Sequence, residues 1–286
     1  MSNSKDLCLP LCLPFECLRI DTSKDIFPSE PASHYYVEGL LSQEGEVRLS
    51  VGGEEETLLP GEARIICPGM VHFIVTGAET HAKAILMRCD PNRIPAFPAY
   101  SASLRTVLTE ARKRHLPMRF SAEETARLGI AEICESCLRE AETRDYGYDI
   151  EVISRMVQLS VILIRYWRSL GLKFSLRESK VDPIYSLPAY IQMHLHDNLR
   201  VEELAADCGL SYPWFAKKFR EIFGLSCKDY IEQIRVAQVE QYLRFTDMDL
   251  SQISEVTGYA DCSHMIKNFK RLMGTTPGQY RMKNKL

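Results

Sequence analysis

The chain has 286 residues, of which 45% are hydrophobic, and this length favours two folded domains over one. It contains no run of about 18 apolar residues, which excludes a helix that spans a membrane. The formal net charge of −3 excludes attraction of the whole protein to nucleic acid. A DNA-binding surface would therefore have to be a local concentration of basic residues.

The ten cysteines are scattered singly along the chain. Such scatter is typical of reduced thiols and predicts a cytoplasmic protein. Cys134 and Cys137 form a Cys-x-x-Cys pair, but no second pair lies at a spacing that zinc would need, so core or surface thiols are favoured over a redox sensor. The apolar stretch 7–20 contains two prolines and a glutamate, and we do not expect a signal peptide there.

Residues from about 30 to 90 are predicted to form short β-strands. The segments YYVEGLLS, EVRLSVGG, ARIICP and AKAILMRC are rich in β-branched and aromatic residues, and glycine, proline and glutamate clusters separate them. Short strands at this spacing are typical of a small sandwich or barrel.

Residues from about 100 to 172 are predicted to be helical. Ser121 and Glu124 form a capping-box pattern at the start of one helix. A second helix, from about 149 to Gly171, is apolar on more than one face. Such a helix packs either in the core of its own domain or against a second subunit, and the sequence does not favour one over the other.

The segment 173–183 is charged, poor in large apolar groups and closed by Pro183, so we interpret it as a linker. It separates a domain at 1–172 from an all-α domain at 184–286. The predicted fold class is therefore α+β, with a small β-barrel and helices in the first domain.

One helical unit occurs twice in the last hundred residues, at 204–230 and at 253–280. Each copy reads as a helix, a turn opened by Gly209 or Gly258, and a second helix. Ser211 and Asp261 stand where the N-cap of the second helix belongs. The repeat predicts two helix-turn-helix units.

The second helix of each unit has an apolar face and a basic face. Spacing of i, i+4 and i+7 predicts that the inward residues are Phe215, Phe219 and Ile222 in the first copy and Met265, Phe269 and Leu272 in the second. The outward faces carry cations at matching positions, Lys217 with Lys267 and Arg220 with Lys270. On a lone helix, basic residues usually serve only to solvate an exposed face. Because two helices carry the same basic face at the same positions, contact with DNA grooves is favoured here.

These residues resemble the DNA-binding domain of AraC-type transcription regulators over about 184–286. The most specific part is 258–281, where the family signature matches Gly258-Tyr259, Phe269-Lys270, Gly274, Thr276-Pro277 and Tyr280-Arg281. His264 and Met265 depart from it, since the family usually has two bulky aromatic residues there, and Ser254 replaces the usual alanine. These changes lie on the core side and leave the predicted fold intact.

The resemblance implies that the two recognition helices enter successive major grooves of promoter DNA, about 34 Å apart. Side chains that would face base edges are Tyr212, Pro213, Ala216, Lys217, Cys262, Ser263, Ile266 and Lys267. Those placed for phosphates are Lys218, Arg220, Lys270 and Arg271. The family also implies contact with RNA polymerase, and activation more often than repression.

Residues 34–75 resemble the cupin-like barrel that many of these regulators use as a sensor. The resemblance rests on Gly45, Pro60-Gly61, Pro68-Gly69 and His72. A barrel of this size can hold one small effector, of which a sugar is one candidate. The candidate pocket residues are His34, Tyr36, Glu38, Arg48 and His72.

Related barrels hold catalytic metals, which makes a metal-dependent enzyme the main alternative. Two histidines and one glutamate at irregular spacing are a poor metal signature, so we expect no metal, no cofactor and no enzymatic activity. A hydrogen-bonded core histidine is the simplest interpretation of His72.

A non-specific nucleic-acid-binding protein is a third class of function. The sequence favours a transcription regulator that responds to a small molecule, and the family resemblance implies a homodimer.

Overall fold

The computed structural model describes residues 13–25, 33–75, 81–94, 103–173, 182–197 and 199–285. The chain divides into two compact units, Met1–Lys180 and Val181–Leu286. Most of the predicted linker and the first part of the apolar stretch 7–20 lie outside the described residues. Within the described part of the chain, no helix is long and apolar enough to cross a membrane.

The first unit contains two antiparallel β-sheets. Its strands are β1 (Phe15–Asp21), β2 (Val37–Glu44), β3 (Val47–Val51), β4 (Glu54–Leu58), β5 (Ala63–Ile66), β6 (His72–Ile74), β7 (Lys83–Cys89) and β8 (Arg119–Phe120). One sheet has the order β1-β7-β2-β5-β8, and the other has the order β4-β3-β6. Because side chains alternate along a strand, each sheet directs one apolar row toward the other.

The core of this unit lies between the two sheets. Leu40 and Leu86 come from the larger sheet, Leu49 and Ile74 come from the smaller one, and all four are buried in one cluster. Burying a side chain of this size contributes about 1.5–3 kcal/mol. The packing of two sheets through a common core fits the predicted small sandwich or barrel.

Helices follow the strands and complete the first unit. They are α1 (Leu104–Lys113), α2 (Ala122–Arg127), α3 (Ile130–Thr143) and α4 (Tyr148–Ser169). The capping box of Ser121 and Glu124 is confirmed at the start of α2. The helix it opens is short, because Gly129 adopts a left-handed conformation with φ of 71° and a new helix begins at Ile130.

Helix α4 is the long apolar helix that the sequence predicts. Val152, Met156, Leu163 and Trp167 are buried within the unit. The indole N–H of Trp167 donates a hydrogen bond of 2.9 Å to the carbonyl of Pro117. Burial inside its own unit therefore accounts for one face of the helix.

The second unit is all-α, which confirms the predicted α+β class for the chain. A short 3-10 helix at Pro183–Ser186 precedes α5 (Leu187–Met193), α6 (Val201–Asp207), α7 (Tyr212–Phe223), α8 (Cys227–Phe245), α9 (Leu250–Val256), α10 (Cys262–Met273) and α11 (Pro277–Asn284). The pairs α6–α7 and α9–α10 are the two predicted helix-turn-helix units. Helix α8 connects them.

The turn between α9 and α10 requires glycine. Gly258 has φ of 74°, and a Cβ atom there would lie 2.1 Å from the carbonyl oxygen of Leu195. A backbone atom cannot move away as the end of a side chain can. Gly209, at the equivalent place in the first helix-turn-helix unit, also has a positive φ, but no atom lies within 4 Å of a Cβ built there.

Candidate functional site

The inward face of α7 is aromatic. Phe215, Phe219 and Phe223 are buried, and the rings of Phe219 and Phe223 both contact Tyr230 of α8, with centroid distances of 5.6 Å. The prediction of Ile222 as the third inward residue was wrong, since Ile222 is only partly buried. Phe223, one residue further along α7, is buried in its place and packs against Tyr230 together with Phe219.

The outward face of α7 presents Tyr212, Pro213, Lys217 and Arg220 to solvent. Trp214 lies among them with 65% of its surface exposed, and the sequence analysis missed it. The ammonium group of Lys217 is 5.6 Å from the centroid of the Trp214 ring, within the range of a cation–π contact. A tryptophan outside the i, i+4, i+7 apolar stripe of a recognition helix was the sequence signal that could have identified it.

Lys218 does not belong to this exposed face. It is half-buried and forms an ion pair with Asp182, the N-cap residue of the 3-10 helix. The hydrogen bond that Lys218 donates to Asp182 raises the pKa of Lys218 above its usual value. The structure thus gives Lys218 a carboxylate partner within its own unit in place of the predicted exposure to phosphates.

Helix α10 repeats the arrangement of α7. The carboxylate of Asp261 caps it by accepting a hydrogen bond of 2.7 Å from the backbone N–H of His264. Met265 and Phe269 are buried, as predicted, but Leu272 is 36% exposed, and Met273 packs against the core in its place. The prediction for Leu272 was therefore wrong.

The outward side of α10 exposes Ser263, Lys267, Lys270 and Arg271. Among the described residues, the three cations have no ion-pair partner within 4.0 Å. Three other predicted base-edge residues are only partly buried: Ala216 on α7, and Cys262 and Ile266, which pack against the core of the second helix-turn-helix unit. Only part of each of these side chains is available to DNA.

A buried polar contact joins α10 to the connecting helix. The side-chain amide of Asn268 donates a hydrogen bond of 2.6 Å to the carboxylate of Glu232. The same carboxylate lies 3.5 Å from a guanidinium nitrogen of Arg235 on α8. Because a buried carboxylate is costly without its donors, this contact favours one orientation of α10 on α8.

The first unit brings three of the predicted pocket residues together in what we call the His–Glu cluster, namely His34, Glu38 and His72. Glu38 lies two residues before Leu40 on β2, and His72 lies two residues before Ile74 on β6. Both side chains therefore project into the core between the sheets, one from each sheet.

The carboxylate of Glu38 lies between the two imidazole rings. Its Oε1 is 2.9 Å from Nε2 of His34, and its Oε2 is 3.0 Å from Nε2 of His72. Burial by itself would raise the pKa of Glu38, but the hydrogen bonds from the two histidines outweigh it and hold the pKa well below its usual range. The carboxylate is therefore ionised at neutral pH.

Tyr36 and Arg48 have different surroundings. The Tyr36 ring is buried beside His34, with ring centroids 5.3 Å apart. Arg48 does not join the cluster, because it alternates with the core residues Val47 and Leu49 on β3 and points to solvent. The prediction of Arg48 as a pocket residue was therefore wrong.

The arginine that does lie near the cluster is Arg88 of β7, which the sequence analysis missed. Its Nε is 4.0 Å from Oε1 of Glu38 and donates a hydrogen bond of 2.9 Å to Glu16. Arg88 lies two residues beyond the core residue Leu86, so strand alternation was the signal that could have found it.

Comparisons with known proteins concern mainly the second unit. A family profile described as a helix-turn-helix domain matches residues 195–283. The MmsAB operon regulatory protein of Pseudomonas aeruginosa is 31% identical over 108 residues, which are 38% of this chain and 35% of that protein. An uncharacterized HTH-type transcriptional regulator of Staphylococcus aureus is 28% identical over 100 residues, or 35% of this chain and 13% of that protein. The chain thus spans about a third or less of the length of these relatives.

Two solved structures are also similar to this chain. The DNA-binding domain of AdpA, determined in complex with a target DNA, has 27% identity and a TM-score of 0.35, and covers 36% of this chain and 93% of that one. ToxT of Vibrio cholerae has 13% identity and a TM-score of 0.45, and covers 95% of this chain and 98% of that one. The second unit thus contains a helix-turn-helix domain, and the predicted resemblance to AraC-type DNA-binding domains is confirmed.

Proposed function

We propose that the protein is a sequence-specific transcription regulator that binds promoter DNA through α7 and α10. The observation that carries this proposal is the repetition of one surface on two helices. Lys217 and Lys267 are exposed at equivalent positions, as are Arg220 and Lys270. In a chain of net charge −3, such a pair of basic faces concentrates positive charge where two major grooves would be met.

The exposed side chains divide into two groups by their expected contacts. We assign Lys217, Lys267 and Ser263 to base edges, and Arg220 and Lys270 to phosphates, which position a protein without reading sequence. We also assign Arg271 to phosphates. Tyr212, Pro213 and Trp214 add an apolar surface at the start of α7 that suits thymine methyl groups.

The first unit is proposed to sense a small effector and to form a homodimer. The buried His–Glu cluster beside the apolar core supports the first part, since convergent polar groups in an apolar setting are typical of ligand sites. Helix α4 supports the second part. Ile150 is 68% exposed, and Val157 and Val161 are only partly buried on the side away from the core.

The effector would act by favouring one arrangement of two DNA-binding units over another. Only its difference in affinity for the two arrangements can drive such a shift. We further propose that the protein contacts RNA polymerase, activates transcription and acts in the cytoplasm. An effector that binds the protein but changes neither DNA affinity nor half-site preference would contradict this mechanism.

The first experiment measures binding to DNA that flanks the gene of this protein, with excess competitor DNA. Lys217→Ala and Lys267→Ala should each weaken specific binding by about 1–3 kcal/mol and relax discrimination between sequences. Lys283→Ala is the matched control, because Lys283 is an exposed lysine of the same unit on α11. Binding that ignores sequence, or that all three variants weaken equally, would indicate only a basic surface and would refute the proposal.

A further inference from the structure

In the His–Glu cluster, two imidazole nitrogens face one buried carboxylate. The Nδ1 atom of His72 is 2.9 Å from the carbonyl oxygen of Met70, and a carbonyl can only accept a hydrogen bond. Nδ1 therefore carries the proton, and in a neutral ring Nε2 has a lone pair. That lone pair would face an oxygen of Glu38 at 3.0 Å, so either a second proton on the ring or a metal ion lies between the two atoms.

The second histidine is arranged in a compatible way. Nε2 of His34 is 2.9 Å from the other oxygen of Glu38, and its Nδ1 is buried without a hydrogen-bond partner among the described residues. The three ligand atoms lie within 4.8 Å of one another. Two atoms bound to one ion at about 2.1 Å, at cis or tetrahedral angles, lie about 3.0–3.4 Å apart, so small shifts would suffice to bind an ion.

The local charges leave room for a cation. Glu16 and Glu38 carry two negative charges, and Arg88, which contacts both, carries one positive charge. A metal ion that binds both imidazoles as neutral ligands would therefore meet a net charge of −1. The hydrogen bond of His72 to the Met70 carbonyl is also the contact that commonly orients a metal-bound histidine.

We propose that His34, Glu38 and His72 bind one divalent first-row transition-metal ion, of the class Fe²⁺, Co²⁺, Ni²⁺ or Zn²⁺. Two histidines and one carboxylate are a ligand set that these ions accept, and it leaves coordination positions open for a further ligand. The inference deepens the effector part of the proposed function by naming a class of ligand. It also replaces the sequence-based expectation that the cluster binds no metal.

The test uses the full-length protein, stripped of metal with a chelator and titrated with Co²⁺ as a visible probe. We expect one Co²⁺ per chain, a d–d absorption band typical of nitrogen and oxygen ligands, and displacement by Zn²⁺. Glu38→Gln keeps the shape of the side chain and removes its charge, and His34→Gln changes the more accessible histidine. Each should weaken binding at least tenfold.

His81→Gln is the matched control, because His81 is an exposed histidine of the same unit outside the cluster. It should bind Co²⁺ as the wild type does, and circular dichroism establishes that all three variants are folded. Failure to bind Co²⁺, equal weakening in all three variants, or a sulfur-to-metal charge-transfer band that assigns the ion to cysteines would overturn the inference. Because binding is measured without DNA, such a failure leaves the DNA-binding proposal standing, and its own test decides it separately.

Discussion

Lys218 and Lys270 are both assigned to DNA phosphates by the sequence, and the structure gives them different surroundings. Lys270 is exposed on α10 and has no ion-pair partner within 4.0 Å among the described residues. Lys218 is half-buried and paired with Asp182. We therefore expect Lys270→Ala, and not Lys218→Ala, to remove a phosphate contact.

The size of the effect follows from counterion release. Each phosphate that a lysine neutralises adds about 0.9 to the slope of log affinity against log salt concentration. Lys270→Ala should lower that slope by about 0.9, so its loss of affinity relative to wild type should shrink about 3.5-fold between roughly 50 and 200 mM salt. Lys218→Ala should leave the slope unchanged, since Asp182 already compensates its charge.

The assay is a salt titration of binding to one operator fragment, by fluorescence anisotropy, with both variants and wild type side by side. A loss of affinity that is the same at every salt concentration in Lys270→Ala would refute the phosphate assignment. A slope that falls as much in Lys218→Ala as in Lys270→Ala would show that the Asp182 ion pair opens on DNA and would refute the argument from its partner.

Three further predictions concern the packing of the chain. Phe269→Ala should lower the free energy of unfolding of the second unit by about 3–5 kcal/mol in a urea titration, because the ring is fully buried. Gly258→Ala should unfold the turn between α9 and α10, seen as a loss of helical circular dichroism and DNA binding, because its Cβ would overlap a backbone oxygen. Cys134 and Cys137 should resist alkylation at pH 8 in the folded protein, because burial raises the pKa of each thiol to about 12.

Each of these predictions has a control in the same chain. Leu272→Ala should change stability by no more than about 0.5 kcal/mol, because Leu272 is exposed. Gly209→Ala should cost only about 1–2 kcal/mol from its positive φ, since no atom opposes a Cβ there. Partly exposed Cys262 should be alkylated before Cys134 and Cys137 in a mass-spectrometric time course. Variants that match their controls, or early alkylation of Cys134, would contradict these arguments.

The sequence by itself determined the features that depend on neighbours along the chain. A helix has a period of 3.6 residues and a strand has a period of two, so the sequence predicted the two helix-turn-helix units, the caps at Ser121 and Asp261 and the inward positions of Phe215 and Phe269. The break at Gly129 is also local, but the sequence analysis did not predict it.

Only the tertiary structure decided which distant side chains meet. At the end of α7, Ile222 and Phe223 both lie near the apolar face, and the position of Tyr230 on α8 selects Phe223. Lys218 has its partner Asp182 at a distance of 36 residues along the chain.

The members of the His–Glu cluster in the first unit are also brought together only by the tertiary structure. His72 is 34 positions beyond Glu38, on the opposite sheet, and Arg88 enters from a third strand. The irregular spacing of the two histidines and the glutamate argued against a metal site, because spacing reports only which face of its own strand a residue occupies. The packing of the two sheets brings these faces together, since both bury the apolar rows on which Glu38 and His72 stand.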